Sequence, residues 1–384
     1  MTTSTDGILT EEEVILRKTV QDLADRELAP RAAEYDRQEE FPWENIRAIS
    51  DLGLFGLTID PEYGGSGGTS RQLAIVTEEL SRGCAATGTI YGAHLSLCAR
   101  YIDSFGTREQ KARYLRQLAT GSRIGAFALT EPDAGSDAAA IRTKVVDSED
   151  GFLITGTKGF ITNAAEAHTF VVMATRDPSR GSKGIETFLV ERDLPGVSIT
   201  PQHGKLGIRA SSTCEVRLQD VPLPVSNRIG GAGEGFGMTM QVLDSSRVAI
   251  AAQAVGIAQA ALEAAVLYAR GRSTFGRPLS DRQAIRWMIA DSATQVEAAR
   301  QLTYRAAYLQ DAGQPFAAQA SMAKLFASRA AVECADRALQ IHGGAGYFAP
   351  ITVERLYRDA KITEIYEGTS EIQRLLIARR LLEP

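Results

Sequence analysis

Apolar residues recur every three or four positions through the first third of the chain, a spacing that places them on one face of an α-helix. Thr10 and Glu13 have the spacing of a capping box. Leu16 and Val20 then continue one apolar face as far as Pro30, where we expect the helix to end. Further helices are predicted over residues 42–53, around 73–83, over 90–105 and from 107 onward. The first third of the chain is therefore predicted to be helical.

The middle of the chain changes to short apolar runs that Gly, Pro and Asp interrupt, which is the pattern of β-strands. Such runs occupy residues 152–156, 160–163, 170–174 and 187–190, and apolar and polar residues alternate over 214–218. We therefore expect a small antiparallel β-domain here.

From Phe236 onward the chain returns to long segments rich in Ala, Leu and Ile. Breaks at residues 271–278, 313–315 and 343–346 divide this part into about four helices, as in an antiparallel bundle. The predicted fold class is mostly α with a central β-domain. Its parts are an N-terminal helical domain of residues 1–124, a middle β-domain of residues 125–232 and a C-terminal four-helix bundle of residues 233–384.

The composition narrows the functional classes. A chain of 384 residues is too long for one hydrophobic core, so two or three domains are expected. The 42 basic and 47 acidic residues give no cationic excess, which argues against nucleic acid as a partner. The four cysteines and four histidines show neither CxxC pairs nor metal-ligand spacing, so we predict no disulfide framework and no metal site.

Hydropathy and the first residues bear on location. By sequence, no apolar stretch is expected to be long enough to span a bilayer, and residues 1–7 lack the hydrophobic core of a signal peptide. We therefore expect a cytoplasmic protein that does not use a membrane.

The run of residues 362–374 carries the clearest chemical signal. It places Glu367 in a glycine-containing turn before a helix, where Ser370 and Gln373 have the spacing of a capping box. A carboxylate in such a turn can act as a positioned base if water is excluded. The alternative is a surface glutamate beside an ordinary helix start, and the motif alone leaves both interpretations open.

Seven separated motifs extend this signal along the chain, at residues 127–137, 160–163, 205–213, 243–247, 272–276, 340–344 and 366–369. Each motif alone is weak, but seven in this order, each in its expected helical or β segment, are not a chance match. With them the chain resembles the acyl-CoA dehydrogenases over essentially its whole length, and it is similar above all to their short-chain, butyryl-type branch.

The resemblance implies an FAD enzyme that introduces a trans double bond between Cα and Cβ of an acyl-CoA thioester. It makes Glu367 the base, with its backbone N–H and a ribityl hydroxyl of FAD holding the thioester oxygen. In the isovaleryl-type branch the catalytic carboxylate lies just before the arginine that matches Arg247. This chain has Ser246 there, which cannot serve as a base, so the resemblance leaves Glu367 as the carboxylate at either family position. Burial raises the pKa of such a base and a helix N-terminus lowers it, and the sequence leaves open which effect is larger.

The resemblance also implies a set of FAD-binding residues. They are Phe127, Leu129, Thr130, Gly135 and Ser136 on a β-domain loop, Phe160 and Thr162 over the ring, Arg272, Thr274, Phe275 and Gln283 toward the FAD of a neighbouring subunit, Gln340, Gly343 and Gly344 near the pyrophosphate and adenine, and Thr369 and Glu371 as the last contacts.

Three of these assignments have alternatives or consequences. Residues 131–135 could be a plain turn, and residues 343–346 a turn between helices. Most family members have Trp where this chain has Phe160, so the indole N–H is missing and the flavin environment and its potential are left open.

For the substrate, the resemblance implies that Ser136, Asp244 and Arg247 contact the CoA moiety and that Tyr366 lines the pocket wall. Asp244 and Arg247 could instead form a surface ion pair of little energetic weight, about 0.3–0.5 kcal/mol. The segment of residues 87–97, with Tyr91 and His94, is expected to form part of the pocket floor, although the tyrosine could also point elsewhere. We expect short acyl groups, which could include α-branched ones.

The implied partners are an acyl-CoA substrate, an electron-transferring flavoprotein as electron acceptor, and further copies of the chain in a homo-oligomer that in this family is usually a tetramer. One alternative is an acyl-CoA oxidase or an acyl-carrier-protein dehydrogenase of the same fold. Another is an FAD-containing relative that binds nucleic acid in a damage response. Such a protein would need a basic C-terminal region, whereas this chain is slightly acidic and retains Glu367.

Overall fold

The computed structural model describes residues 9–382. The predicted N-terminal domain begins with residues 1–8 and the predicted C-terminal domain ends with residues 383–384, and both stretches lie outside the described residues. Within the described part, a helical region, a β-sheet and a second helical region follow one another along the chain.

The N-terminal region consists of seven α-helices within the described residues. They are α1 (Glu11–Leu23), α2 (Ala29–Gln38), α3 (Trp43–Asp51), α4 (Ser70–Gly83), α5 (Ala85–Gly92), α6 (Arg100–Phe105) and α7 (Arg108–Ala119). A π-helical turn, Ala24–Leu28, joins α1 to α2, and a π-helical segment, Ala93–Ala99, joins α5 to α6.

The capping signal at Thr10 predicts correctly where the first helix begins, whereas Pro30 does not mark its end. The predicted capping box of Thr10 and Glu13 is confirmed at the start of α1. The prediction that this helix ends at Pro30 was wrong, since the helix continues to Gln38. The wider π turn before Pro30 lets the chain pass a residue that has no N–H and whose ring would clash in a regular α-helix.

The middle region forms one sheet. Its strands are β1 (Ile124–Ala128), β2 (Lys144–Ser148), β3 (Gly151–Thr162), β4 (Ala167–Thr175), β5 (Ile185–Glu191), β6 (Val197–Pro201), β7 (Thr213–Pro224) and β8 (Arg228–Ile229), in the order β6-β7-β3-β2-β4-β5-β8 with β1 beside β4. The predicted antiparallel pairing holds for most neighbours. However, β1 runs parallel to β4, so the sheet is mixed. The reason is that β2 and β3 separate β1 from β4 in sequence, which allows a crossover that a hairpin does not.

The C-terminal region comprises α8 (Gly235–Gly271), the small hairpin β9 (Ser273–Thr274) and β10 (Arg277–Pro278), and then α9 (Gln283–Asp311), α10 (Ala317–His342), α11 (Thr352–Ile362) and α12 (Ser370–Leu382). The long helices α8, α9 and α10 pack on one another, and the shorter α11 and α12 pack on α10. The predicted fold class, mostly α with a central β-domain, is confirmed.

The helix α8 corrects one expectation from the sequence. It contains an 18-residue window with a mean hydropathy of 1.6, so by length and composition it could cross a membrane. In the structure 61% of that window is buried, because α4, α9 and α10 pack around it. A helix that is apolar on all sides is expected at such a central position, and its hydropathy is explained by the core.

Candidate active site

The turn between α11 and α12 carries the candidate base. Glu367 has a φ of 51° and Gly368 a φ of 96°, so two successive residues adopt left-handed conformations. Glycine tolerates this conformation, whereas a glutamate held there is strained and needs contacts to keep it in place. The Gly368 carbonyl supplies two of them, because it accepts hydrogen bonds from Lys324 Nζ at 2.6 Å and from Gln373 Nε2 at 2.8 Å.

The predicted capping box of Ser370 and Gln373 was wrong. The helix α12 begins at Ser370, and the side chain that caps it is Thr369, whose Oγ1 accepts a hydrogen bond from Ile372 N at 3.4 Å. Ser370 N donates to the Glu364 carbonyl at 2.9 Å, and the Gln373 side chain donates instead to the Gly368 carbonyl. The residue expected to close the box thus stabilises the turn that precedes the helix.

The Glu367 side chain is partly buried. Its Oε2 atom is buried and has no hydrogen-bond partner within the described part of the chain. Burial raises the pKa of Glu367 to about 7, although the Ser246 hydroxyl and the charges of Lys324 and Arg247 act in the opposite direction. Burial is thus the largest influence on this pKa and outweighs the hydroxyl and the two cations together.

The backbone N–H of Glu367 is also free. Among residues 9–382 it donates to no acceptor, so it can bind a ligand oxygen. An unpaired donor beside an unpaired carboxylate oxygen is what proton abstraction next to a carbonyl requires, because negative charge develops on the carbonyl oxygen as the proton leaves.

The helix α8 brings Ser246, Arg247 and Asp244 to this turn. The Arg247 side chain is buried and donates to Asp244, so the two residues form a largely buried pair and not the surface ion pair considered as an alternative. The charges of Arg247 and Glu367 stabilise each other. The Ser246 hydroxyl, which donates to the Leu243 carbonyl at 3.1 Å, lies close enough to lower the pKa of Glu367, so the two positions considered for the base are near each other in space.

Tyr366 connects the turn to the N-terminal helices through Gln253 of α8. The tyrosine hydroxyl donates to Gln253 Oε1, and Gln253 Nε2 donates to Thr89 Oγ1 at 2.7 Å and to the Ala85 carbonyl at 3.3 Å. Gln253 is buried. A polar bridge therefore links α5, α8 and the turn.

Tyr91 and His94 do not belong to this bridge. The Tyr91 hydroxyl donates to the Leu54 carbonyl, and the His94 ring lies between the Leu118 carbonyl and Gly125 N. Because Gly125 N donates to Nδ1, the His94 proton is on Nε2, and burial lowers the histidine pKa to about 4. Both side chains are buried within the N-terminal core, so for the tyrosine the structure has the alternative in which it points elsewhere. Of the segment of residues 87–97, Thr89 contacts the bridge through Gln253.

The loop after β1 presents backbone groups at the edge of the sheet. The N–H groups of Thr130 and Ser136 donate to no acceptor among the described residues. Glu131 and Ala134 exchange two backbone hydrogen bonds of 3.1 Å, so this stretch does contain the turn considered as an alternative. The turn does not exclude a binding role, because it leaves Gly135 and Ser136 exposed.

A buried ion pair fixes this loop to β3. Lys158 Nζ donates to Glu131 Oε1 at 2.7 Å and to the Leu129 carbonyl at 3.1 Å. Glu131 also accepts from Arg142 N and Thr143 N. Burial lowers the pKa of Lys158 to about 8. Burial alone would raise the pKa of Glu131, but Lys158 and the backbone donors outweigh that effect and lower it.

Phe160 lies beside the same loop, on a bulge of β3. Its φ is 57°, and 67% of its surface is exposed. Gly159 N donates to the Thr130 carbonyl at 2.9 Å, which joins the bulge to the loop. Thr162 ends β3, and the Phe127 ring of β1 packs against Tyr101 with centroids 6.1 Å apart. An exposed aromatic ring on a rigid bulge is suited to covering a planar ligand.

The remaining predicted cofactor residues lie on exposed parts of the C-terminal region. Arg272, Phe275 and Gln283 are on or next to the hairpin β9–β10, and Phe275 is 96% exposed. Within residues 9–382, no hydrogen bond or ion pair joins them or Thr274 to the Glu367 turn. Gly343, with a φ of 59°, ends α10, where Gln340 and Gly344 are also exposed, and Glu371 is exposed in the first turn of α12.

Sequence reasoning missed Lys324, Gln253 and Lys158. Each is buried and hydrogen-bonded to a predicted site residue or its neighbour. A lysine in an otherwise apolar stretch of a predicted helix is the one sequence signal that could have found Lys324. Within the part of the chain that the structure describes, no group of three His, Cys, Asp or Glu side chains could hold a metal ion.

All three regions of this structure match known proteins in sequence. The sequence matches the family descriptions "Acyl-CoA dehydrogenase, N-terminal domain" over residues 10–122, "middle domain" over 126–221 and "C-terminal domain" over 233–382. It is 47% identical over 376 residues to the short-chain specific acyl-CoA dehydrogenase of Clostridium acetobutylicum, covering 98% of this chain and 99% of the relative.

Solved structures agree with the sequence matches. Butyryl-CoA dehydrogenase from Megasphaera elsdenii superposes with a TM-score of 0.95 at 40% identity, over 98% of this chain and 99% of that one. A chain from the structure of the "Electron transferring flavoprotein of Acidaminococcus fermentans" superposes with a TM-score of 0.96 at 42% identity, over 98% of this chain and 99% of that one. A glutaryl-CoA dehydrogenase from Mycobacterium smegmatis in complex with FADH2 superposes with a TM-score of 0.94 at 30% identity, over 99% of this chain and 97% of that one.

Proposed function

The chain belongs to the acyl-CoA dehydrogenase family, and on that premise we propose that Glu367 is the base with which it oxidises a short-chain acyl-CoA to the trans-2-enoyl-CoA. The observation that carries this proposal is the Oε2 atom of Glu367, which is buried, without a hydrogen-bond partner among the described residues, and adjacent to a free backbone donor. The enzyme class and the FAD cofactor follow from the family and its solved members.

The described residues fit FAD. The free N–H groups of Thr130 and Ser136 and the exposed ring of Phe160 provide backbone donors and an aromatic face along one edge of the sheet. Gly343 and Gly344 leave open space where a side chain would stand, so a pyrophosphate can approach the backbone there. When bound, FAD accepts the β-hydrogen of the substrate as hydride.

The protein's own part in the reaction is to take the α-proton and to hold the thioester. The carboxylate of Glu367 accepts the proton and becomes neutral, which relieves the unfavourable burial of its charge. Its backbone N–H donates to the thioester oxygen, on which negative charge develops. The buried Arg247 and Lys324 keep part of the carboxylate ionised near neutral pH.

The rate of flavin reduction by a short-chain acyl-CoA is expected to fall as the pH drops through about 7. The reason is that burial raises the pKa of Glu367, so the carboxyl is protonated below that pH and cannot accept the substrate proton. Stopped-flow measurement of flavin reduction on both sides of neutrality checks this. A rate that stays constant from neutral to acidic pH would contradict the assigned base.

The bridge between Gln253 and Tyr366 suggests how the acyl chain is limited. We propose that this buried pair forms the closed end of the acyl pocket, since it links α5, α8 and the turn of Glu367. Gln253→Ala is then expected to raise the kcat/KM of hexanoyl-CoA relative to butyryl-CoA by about tenfold, the order of magnitude of one or two methylene groups in a pocket.

Tyr366→Phe is the matched control for that prediction. It removes the hydroxyl that contacts Gln253 but keeps the ring volume, so the chain-length ratio is expected to stay near the wild-type value. An unchanged ratio in Gln253→Ala would show that the pocket ends elsewhere.

The quaternary structure and the electron acceptor are proposals of the same kind. The exposed Leu267, Phe275, Trp287, Tyr347 and Phe348 give the C-terminal region apolar surface that a homo-oligomer, which we take to be a tetramer, would cover. An electron-transferring flavoprotein is the proposed acceptor, supported by the similar chain from Acidaminococcus fermentans. The proposed location is the cytoplasm.

A further inference from the structure

Lys324 is a buried lysine on α10 whose position is not explained by packing. Its side chain has no exposed surface. Within residues 9–382 no carboxylate oxygen lies at ion-pair distance from its Nζ atom, and the hydrogen bond to the Gly368 carbonyl, at 2.6 Å, is made to a neutral group. Burying an ammonium group without an ion-paired carboxylate is unfavourable, so a side chain kept there points to a use.

The charges around Lys324 indicate that use. Glu367, Glu364 and Glu371, from the turn and from α12, favour its charged form, and Arg247 of α8 opposes it. Glu367 is the largest of these influences, and Lys324 is in turn the strongest single charge that acts on Glu367. The two side chains therefore influence each other's protonation although they are not directly hydrogen-bonded.

The hydrogen bond serves the geometry of the same turn. Gly368 and Glu367 both have left-handed backbones, and the carbonyl that follows them is held by two buried donors. One donor, Lys324, is charged and comes from α10. The other, Gln373, is neutral and comes from α12. The two contacts can thus be removed separately.

We propose that Lys324 is a positioning residue for the dehydrogenation: its hydrogen bond to Gly368 fixes the turn that carries Glu367, and its charge keeps the Glu367 carboxylate ionised at neutral pH. This inference rests on the proposed role of Glu367 as the base. Lys324 itself does not touch the substrate, and it acts only through the turn and through the proton affinity of the base.

The test compares three variants by the pH dependence of flavin reduction with butyryl-CoA. Lys324→Gln keeps a donor for the Gly368 carbonyl but removes the charge, so the midpoint of the pH profile is expected to move up by at least about one pH unit. Lys324→Arg keeps the charge and is expected to keep the wild-type midpoint. Gln373→Leu removes the neutral donor and is expected to slow the reaction without moving the midpoint.

A second readout does not depend on turnover. Infrared titration of the purified protein follows the band of the protonated Glu367 carboxyl, identified by its absence in Glu367→Gln. In Lys324→Gln this band is expected to persist to higher pH than in the wild type. An infrared midpoint and a rate profile that both match the wild type would overturn the proposal, as would an equal upward shift in Lys324→Arg.

The outcomes separate this inference from the proposed function. If the wild-type protein reduces its flavin with butyryl-CoA and Glu367→Gln does not, the function holds whatever Lys324→Gln shows. If Glu367→Gln is as fast as the wild type, the assignment of Glu367 as the base is wrong. The infrared titration then tests only whether Lys324 controls the proton affinity of Glu367.

Discussion

Glu367→Gln is expected to retain FAD and to reduce the rate of flavin reduction by butyryl-CoA by more than 10⁴-fold, beyond the typical range of about 10²–10⁴ for general base catalysis. Two effects combine, because the amide cannot accept the α-proton and the groups that act on this carboxyl, Ser246, Lys324 and Arg247, include no second carboxylate. In free energy this loss corresponds to about 5.5 kcal/mol or more. Anaerobic stopped-flow absorbance measures it directly.

A second substitution gives that prediction a control. The Ser246 hydroxyl lies close enough to lower the pKa of Glu367, so Ser246→Glu in the Glu367→Gln background places a new carboxylate near the lost one. We expect flavin reduction in this double variant to be at least about tenfold faster than in Glu367→Gln alone, since a displaced base is still better than none. Glu367→Gln reacting at the wild-type rate would refute the assignment of Glu367 as the base.

Lys158→Met is expected to have the largest effect on stability. The substitution leaves Glu131 as a buried carboxylate without its cation, and breaking a buried ion pair in this way costs about 3–5 kcal/mol. The same change frees the Leu129 carbonyl and loosens the loop that carries Thr130, so we also expect weaker FAD binding. Denaturant unfolding and the FAD content of the purified protein measure the two effects.

The control for this prediction removes both charges. Lys158→Met with Glu131→Gln removes the unpaired charge and leaves one amide oxygen, which can accept from only one of the two N–H groups, Arg142 N or Thr143 N, so part of the lost stability is expected to return. The deficit of the single variant is also expected to be smaller at acidic pH. There the unpaired Glu131, whose pKa rises once Lys158 is removed, takes up a proton and loses its buried charge. A single variant as stable as the double variant at all pH values would contradict this role of the ion pair.

The parts of the fold that the sequence predicts are those fixed by neighbouring residues. The capping box at Thr10 is formed by residues three positions apart, and the alternation around Cys214 and Val216 lies within the strand β7. Local chemistry is sufficient for such features. For Glu367 it was not, because the glycine and the helix start that follow it left a surface glutamate possible, and only the resemblance over seven motifs singled it out as the base.

The parts that the sequence did not predict depend on distant residues. Pro30 lies inside a helix because a π turn precedes it, and the parallel pairing of β1 with β4 joins segments about 40 positions apart. The Tyr91 hydroxyl points to the Leu54 carbonyl, a choice that the sequence left open because no local pattern decides it. Lys324 reaches Gly368 across 44 positions of sequence, so its relation to the base appears only in three dimensions.

The most direct test of the central claim is an anaerobic titration of the purified yellow protein with saturated acyl-CoAs of increasing chain length, followed by the flavin absorbance. We expect butyryl-CoA to bleach the flavin and longer chains to become progressively less effective, because the bridge of Gln253 and Tyr366 closes the pocket. A flavin that no saturated short-chain acyl-CoA bleaches would contradict the proposed activity and would indicate a carrier-protein or other thioester. A colourless protein that FAD cannot restore would contradict the cofactor as well.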